Sequence, residues 1–305
     1  GGCFDTAGGA HSFLRHSDGT FTTFDAPGAG TGPGYFTIAW SINPAGTIAG
    51  GCTDANYVEH GFLRRRDGTF TTFDAPGAGT GQNQGTYAFN INPAAMSSGY
   101  YIDSNYVQHG FLRAPDGVVT TFDVPGSAGT VPGNADGSLN PAGAITGYYY
   151  DDASAKHGFL RAPDGAITTF DVPGAGTGFY QGTGGSGINP AGEITGSWVD
   201  PSGVYHGFVR ARDGSITTFD FPGAQGTAGQ GIDPAGTIAG GYTDTAGVSY
   251  GLLRARDGAM TVFDAPGAGT GPGQGTATWS INTRGAVTGI SIDTDGVVHG
   301  FLRIP

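Results

Sequence analysis

Histidine and aspartate recur along this chain at fixed spacing. His11, His60, His109, His157, His206 and His299 each follow an aspartate by six residues (Asp5, Asp54, Asp103, Asp151, Asp200 and Asp293), and Tyr250 follows Asp244 at the same interval. Fourteen residues beyond all but His299 stands another aspartate, at Asp25, Asp74, Asp123, Asp171, Asp220 and Asp264. Imidazole and carboxylate are good metal ligands, so metal ligation is the first chemistry to weigh. One histidine per repeat sits too far from its counterparts to share an ion, however, and such side chains tie down short loops through hydrogen bonds alone. The spacing therefore predicts a structural hairpin and no metal site. The loop from Asp293 to His299 also invites calcium, but it lacks the dense alternating oxygens of a calcium loop. Calcium is the one cofactor for which the chain leaves any room.

Other reactive groups are few. The PGAGTG segments look like phosphate cradles, yet no GK[ST] ending and no helix follows them. Cys3 and Cys52 hold the same position in successive repeats, where a disulfide is not expected, because the two Cα atoms must lie within about 7 Å. Once the repeated aspartates are set aside, the remaining acids are Glu59, Asp136, Asp152, Glu193, Asp233 and Asp295. A glycosidase needs two carboxylates facing one sugar. No acid/base pair or Ser-His-Asp grouping can be assigned from so thin a set, and no catalytic residue is named.

One position differs between repeats in a way that points to binding. Three residues before the NPAG asparagine stand Trp40, Phe89, Gly137, Ser186, Gln230 and Trp279. Trp40, Phe89 and Trp279 are expected to form an aromatic arc, with Tyr35 and Tyr87 preceding them and Phe36, Phe179 and Tyr180 in the variable connections. Flat aromatic faces with few charges nearby suit sugar rings or other weakly polar ligands. The competing reading is packing between repeats, and the sequence leaves both open.

The elements that must position these residues follow from the repeat. HGFLR or a variant recurs at intervals of 44 to 49 residues, and length varies only between the FD pair and the next INP segment. Insertions gather where backbone is exposed, which makes that connection the surface loop. TTFD, TIAGG and HGFLR are short, rich in Thr, Ile and Phe, and bounded by DG, PG and NPAG turn signals, so each reads as a strand. Each repeat is thus four antiparallel strands: a ending in IN, b at GTIAGG, c at HGFLR and d at TTFD.

Radially arranged four-stranded units of 40 to 50 residues predict an all-β fold, a β-propeller spanning residues 1–305 as one domain. A solenoid is the weaker alternative, since no polar capping repeats appear at the ends. Seven b–c hairpins but six a and six d strands leave the count open. Seven blades, one incomplete, are favoured, with a d and an a strand expected upstream of Gly1. In the six-blade alternative Thr20–Asp25 completes the terminal set, and residues 1–15 form a surplus hairpin with an unpaired edge.

The run HGFLR, DG, TTFD, PGA, IN, AG and GYxD resembles the HAF-type extracellular repeats of bacteria over essentially the whole chain. The resemblance implies export and a propeller-like fold, and it transfers no catalytic residue. Tyr250 and Leu252 depart from its histidine and phenylalanine.

Composition agrees with a folded chain. Hydrophobic residues make up 37% of the chain, and 25 acids against 13 bases give a net charge of −12. Nucleic acid and anionic membranes are poor partners for such a surface. No apolar stretch reaches membrane-spanning length, and no basic-then-apolar leader opens the chain. The leading reading is a secreted, non-catalytic propeller binding a carbohydrate or a protein through its loop rim and axial aromatics. A polysaccharide lyase or glycosidase, and a self-assembling extracellular scaffold, are the alternatives.

Overall fold

A computed structural model describes residues 1–133 and 138–305. Asp136 and Gly137, named above, lie outside the described residues. The chain is all-β: no helix occurs among the described residues. It divides into two compact units, residues 1–134 and residues 135–305.

The first unit contains β1 (Gly2–Phe4), β2 (Ala10–Arg15), β3 (Phe21–Phe24), β4 (Thr37–Ile42), β5 (Ile48–Thr53) and β6 (Glu59–Arg64). It continues with β7 (Phe70–Phe73), β8 (Gly85–Ile91), β9 (Ser97–Ile102), β10 (Gln108–Arg113), β11 (Val119–Phe122) and β12 (Gly129–Pro132). β1 to β3 pair antiparallel in chain order. So do β4 to β7 and β8 to β11, each set being a complete a–b–c–d sheet. A single parallel bridge, Glu59 to Gly85, passes from one of these sheets to the next.

The second unit opens with β13 (Ile145–Tyr150), β14 (Lys156–Arg161) and β15 (Ile167–Phe170), preceded by a bridge from Leu139 to Ile145. Two complete sheets follow. One is β16 (Gly182–Ile188), β17 (Ile194–Val199), β18 (Tyr205–Arg210) and β19 (Ile216–Phe219). The other is β20 (Gly226–Ile232), β21 (Ile238–Thr243), β22 (Ser249–Arg254) and β23 (Met260–Phe263). The last sheet has three strands, β24 (Gly275–Ile281), β25 (Val287–Ile292) and β26 (Val298–Arg303). These repeated sheets are propeller-like. The a strands of consecutive sheets lie so close that a methyl group built on Gly187 would fall 2.9 Å from the Gln230 carbonyl oxygen.

The repeated residues build this scaffold. The phenylalanine of HGFLR is the core of the inner sheets: Phe62, Phe111, Phe159 and Phe208 are wholly buried, and Leu252 takes the same place, while Phe13 and Phe301 in the first and last sheets are half-buried. Each such burial removes a large apolar side chain from water and is worth about 2 to 3 kcal/mol. The preceding glycine is required by close approach, since a methyl on Gly110 would sit 2.6 Å from the ring of Phe122 on strand d. At the DG turns the glycine adopts the left-handed conformation, as at Gly117 with φ of 97°.

The NPAG asparagine closes its own turn and ties one repeat to the next. Asn43 Oδ1 accepts from Ala45 N at 3.1 Å and Thr47 N at 3.0 Å, while its Nδ2 donates to the Asn92 carbonyl at 3.2 Å. Asn140 and Asn189 make the equivalent links to the carbonyls of Asn189 and Asp233, each at 3.3 Å.

Candidate functional site

The recurrent histidines and aspartates form a clamp at one end of five of the sheets. In the second copy Asp54 Oδ1 accepts from Asn56 N at 2.8 Å and Val58 N at 2.9 Å, closing the b–c loop. His60 Nδ1 lies 2.9 Å from Asp74 on the d side, and its Nε2 faces Asp54 at 3.7 Å. His11, His109, His157 and His206 repeat the arrangement. Each imidazole thus bridges the b–c loop to the end of strand d. The hydrogen bond to Asp25, then that to Asp5, holds His11 above its ordinary pKa. Burial works against His157, but its bonds to Asp171 and Asp151 outweigh it and raise that group too. Among the described residues no group of three His, Cys, Asp or Glu side chains is placed to hold a metal ion.

The position that varies between repeats has a structural meaning that the spacing alone did not reveal. In β4, β8, β16, β20 and β24 the ladder slips at this residue, leaving Trp40, Phe89, Ser186, Gln230 and Trp279 as β-bulges. A bulge re-aims its side chain away from the pleat, so this is where each copy can differ without breaking its sheet.

The expected aromatic residues are brought together only in part. Trp40 packs at a tilt on Phe89 with ring centroids 5.3 Å apart, and Phe89 lies 6.2 Å from Tyr87 and 5.3 Å from Tyr100. Phe89 is buried, at 6% exposure, whereas Trp40 keeps one face open, at 38%. Tyr35 packs elsewhere, on Tyr57 at 4.6 Å, and donates to the Ala55 carbonyl. Trp279 belongs to the second unit and is 52% exposed.

Beneath this cluster Glu59 is buried, accepting from Thr53 Oγ1 at 3.2 Å and hydrogen-bonded to Tyr87. Burial pushes its pKa up to about 7 and raises the Tyr87 phenol further still. Cys3 and Cys52 are free thiols, and burial pushes Cys52 up to about 12.

A concavity in the second unit was not assembled by sequence reasoning. It is a pocket of about 340 Å³ whose lining includes Tyr205, Gln225, Gln230, Tyr242, Tyr250 and Thr278. It opens because strand a is small here: Ala228 of β20 and Ala277 of β24 stand where β8 carries Tyr87. Tyr242 stacks on Tyr250 at 4.9 Å and on Phe221 at 4.0 Å, presenting a rigid aromatic wall. Tyr250 donates to Asp244 Oδ2 at 3.2 Å, which replaces the histidine clamp of the other copies. Desolvation holds both phenols above their ordinary pKa, so they remain neutral donors.

Gln230, the bulge residue of β20, faces this pocket, and its side-chain amide has no hydrogen-bond partner among the described residues. No charged side chain lines the pocket. Hydroxyls, amides and aromatic rings without charge match a neutral, polyhydroxylated ligand. The contrast between Tyr87 and the alanines at its equivalent positions was the sequence signal that could have located the pocket.

Two of the leftover acids, Glu193 and Asp233, serve structural ends. Glu193 pairs with Arg256 and accepts from Asn189 Nδ2 at 2.7 Å. Asp233 stands in for the NPAG asparagine, accepting from Thr237 N at 2.8 Å.

Fold and pocket together define a propeller-like, repeat-built all-β protein with a neutral aromatic recess. No protein-family model matches the chain, and no curated protein matches it. Solved structures do. A streptogramin B lyase matches with a TM-score of 0.52 at 12% identity, covering 95% of this chain and 86% of its own. BP39L lectin from Burkholderia pseudomallei matches with a TM-score of 0.52 at 10% identity, covering 97% and 92%. A puromycin hydrolase matches at 0.51 and 14% identity, covering 98% of this chain and 51% of its own. A lyase, a lectin and a hydrolase share the fold with this chain, so the likeness concerns architecture and function must be read from the site.

Proposed function

We propose that this chain is an exported, non-catalytic propeller of residues 1–305, seven-bladed by its b–c hairpins, that binds a neutral carbohydrate in the tyrosine-lined pocket of its second unit. The observation that carries this reading is the pocket's lining: three tyrosines, two glutamines and several threonines, with no charged group. Tyr242 offers a face for the apolar side of a sugar ring, while the Gln230 amide and the phenols offer donors and acceptors to its hydroxyls. A volume of about 340 Å³ falls within the range of small-ligand sites, about 300 to 1,000 Å³. Trp279 follows the pocket-lining Thr278 directly and is exposed enough to extend the aromatic surface toward a longer glycan. Trp40 offers a second open aromatic face in the first unit. Resemblance to HAF-type extracellular repeats supports export, and the lectin of the same fold supports the ligand class.

The test is a neutral-glycan array with the purified protein, its Tyr242→Ala and Gln230→Ala variants, and Trp40→Ala. Binding that is lost in both pocket variants, with an unchanged circular dichroism spectrum, supports the reading. Binding that survives both variants but is lost in Trp40→Ala moves the site to the first unit. Absence of glycan binding at millimolar concentrations overturns it.

An enzymatic reading finds its best support in Glu59, whose carboxyl titrates near neutrality as a general acid should. At 3% exposure, beneath Tyr87, it has no open face toward a substrate.

A further inference from the structure

The connection between β19 and β20 is cut short beside the tyrosine-lined pocket. Thirteen residues separate Asp220 from Asp233, against eighteen from Asp171 to Asn189 and from Asp264 to Asn282. In the longer connections the loop lies along the start of the preceding c strand and pairs with its main chain. Lys156 N donates to the Gln181 carbonyl at 2.7 Å, and Tyr180 N donates to the Ser154 carbonyl at 3.0 Å. Ser249 N with Gln274 and Gly273 N with Gly247 repeat the two bonds at 2.9 and 2.8 Å, and Glu59 N reaches the Gln84 carbonyl at 2.8 Å in the first unit.

Tyr205 opens β18 at the place that Lys156 and Ser249 hold in their own strands. Among the described residues no backbone hydrogen bond joins it to residues 221–225. Its N–H faces away from β17, because Val199 and Tyr205 stand opposite each other in the pairing that turns the Glu59 N–H outward to Gln84.

The loop glutamine is released as well. Gln84, Gln181 and Gln274 fold their Oε1 back onto a loop glycine, accepting from Gly81 N at 2.8 Å, Gly178 N at 3.0 Å and Gly271 N at 2.8 Å. Gln225 holds the same position ahead of strand a, but the short loop lacks that glycine. Its Nε2 still donates to the Thr245 carbonyl at 3.3 Å, and its Oε1 has no hydrogen-bond partner among the described residues. Tyr205 and Gln225 both line the pocket. The shortened loop thus leaves a main-chain donor and an amide acceptor at a place where the other copies hold a stretch of peptide.

We propose that this rim is a subsite for a secondary amide, the acetamido group of an N-acetylated amino sugar, an inference that rests on the carbohydrate reading of the pocket. The acetamido carbonyl accepts from Tyr205 N, and its N–H donates to Gln225 Oε1, so the ligand supplies the kind of group that the longer loops supply elsewhere. Ala228 and the ring of Tyr242, both in the lining, offer apolar cover to the acetyl methyl. A free amino or acidic substituent would find no counter-charge there.

Calorimetric titration of the purified protein with N-acetylglucosamine, N-acetylgalactosamine, glucose and galactose tests the assignment. At least one N-acetylated sugar is expected to bind about tenfold or more tightly than its parent hexose, the effect of one or two further hydrogen bonds. Gln225→Met keeps the side-chain length without the acceptor and should erase most of that preference, with the circular dichroism spectrum unchanged. Tyr205 gives a main-chain readout. In protein carrying isotope-labelled tyrosine, its amide resonance, identified by its loss in Tyr205→Phe, should move further at saturation with the N-acetylated sugar than with the parent hexose. Equal affinity for acetylated and parent sugars, a preference that Gln225→Met leaves intact, or a Tyr205 amide that does not distinguish the two overturns the proposal while the carbohydrate reading stands. Failure of every sugar to bind at millimolar concentration, together with a silent glycan array, overturns both. N-acetylglycine N-methylamide bound as tightly as the amino sugars assigns the rim to a peptide and overturns the proposal as well.

Discussion

The indole of Trp40 rests on the phenyl ring of Phe89 at 5.3 Å with an interplanar angle of 49°. Both are bulge residues of a strands in consecutive sheets, so the one position at which the repeats disagree is also one at which neighbouring repeats touch. Phe89 is the buried half of the pair and Trp40 the more open half.

Truncating the two halves should have unequal effects. Phe89→Ala removes a buried ring from a well-packed cluster and is expected to cost about 3 to 5 kcal/mol in urea unfolding. Trp40→Ala loses mainly the aromatic contact and should cost no more than about 1.5 kcal/mol. Equal losses would place Trp40 in the core with Phe89.

Glu59 should make stability fall with rising pH. Its folded pKa is raised from 4.5 to about 7, so the folded chain holds the proton more tightly than the unfolded chain. The contribution is complete below about pH 4.5 and is lost as pH rises through about 7. Glu59→Gln keeps a neutral hydrogen-bonding group and should remove this dependence, stabilising the protein at pH 8 by up to about 3 kcal/mol. Denaturant midpoints of both proteins at pH 5 and pH 8 measure it.

The histidine clamps titrate in the opposite company. His157 is raised above 6.5, so its contribution is present below that value and lost as pH rises through the raised one. Asp151 is lowered from 3.8, so its contribution is present above that value and lost as pH falls through the lowered one. The clamp is therefore intact between about pH 4 and 6.5. The His157 ring-proton resonance followed by NMR should titrate with a midpoint above 6.5, and Asp171→Asn should bring it down. A midpoint unmoved by Asp171→Asn would separate the histidine from that carboxylate.

The cross-repeat asparagines offer a graded test. Asn43→Ala breaks two turn hydrogen bonds and the link to the Asn92 carbonyl, a loss of about 2 kcal/mol for a buried amide. Asn43→Asp keeps the turn acceptors, as Asp233 does naturally, and should cost about half as much. Thermal melts of the two variants compare them directly.

Much of this protein is written in its repeat. The strand order, the DG turns, the buried phenylalanine of HGFLR and the structural use of histidine and aspartate follow from local spacing, because every hairpin and clamp joins residues at most seventeen apart. The tyrosine-lined pocket does not. Tyr205, Gln230, Tyr242 and Thr278 come from β18, β20, β21 and β24, and their convergence depends on how consecutive sheets stack. Sequence comparison isolated Gln230, Trp40 and Trp279 as the residues that vary. Only tertiary structure showed that they sit on bulges, that Phe89 is spent on packing and Tyr87 on a hydrogen bond to Glu59, and that two alanines leave open space between the sheets. Local pattern determines which groups pair along the chain, and the empty volume between sheets is a property of side chains that no single repeat contains.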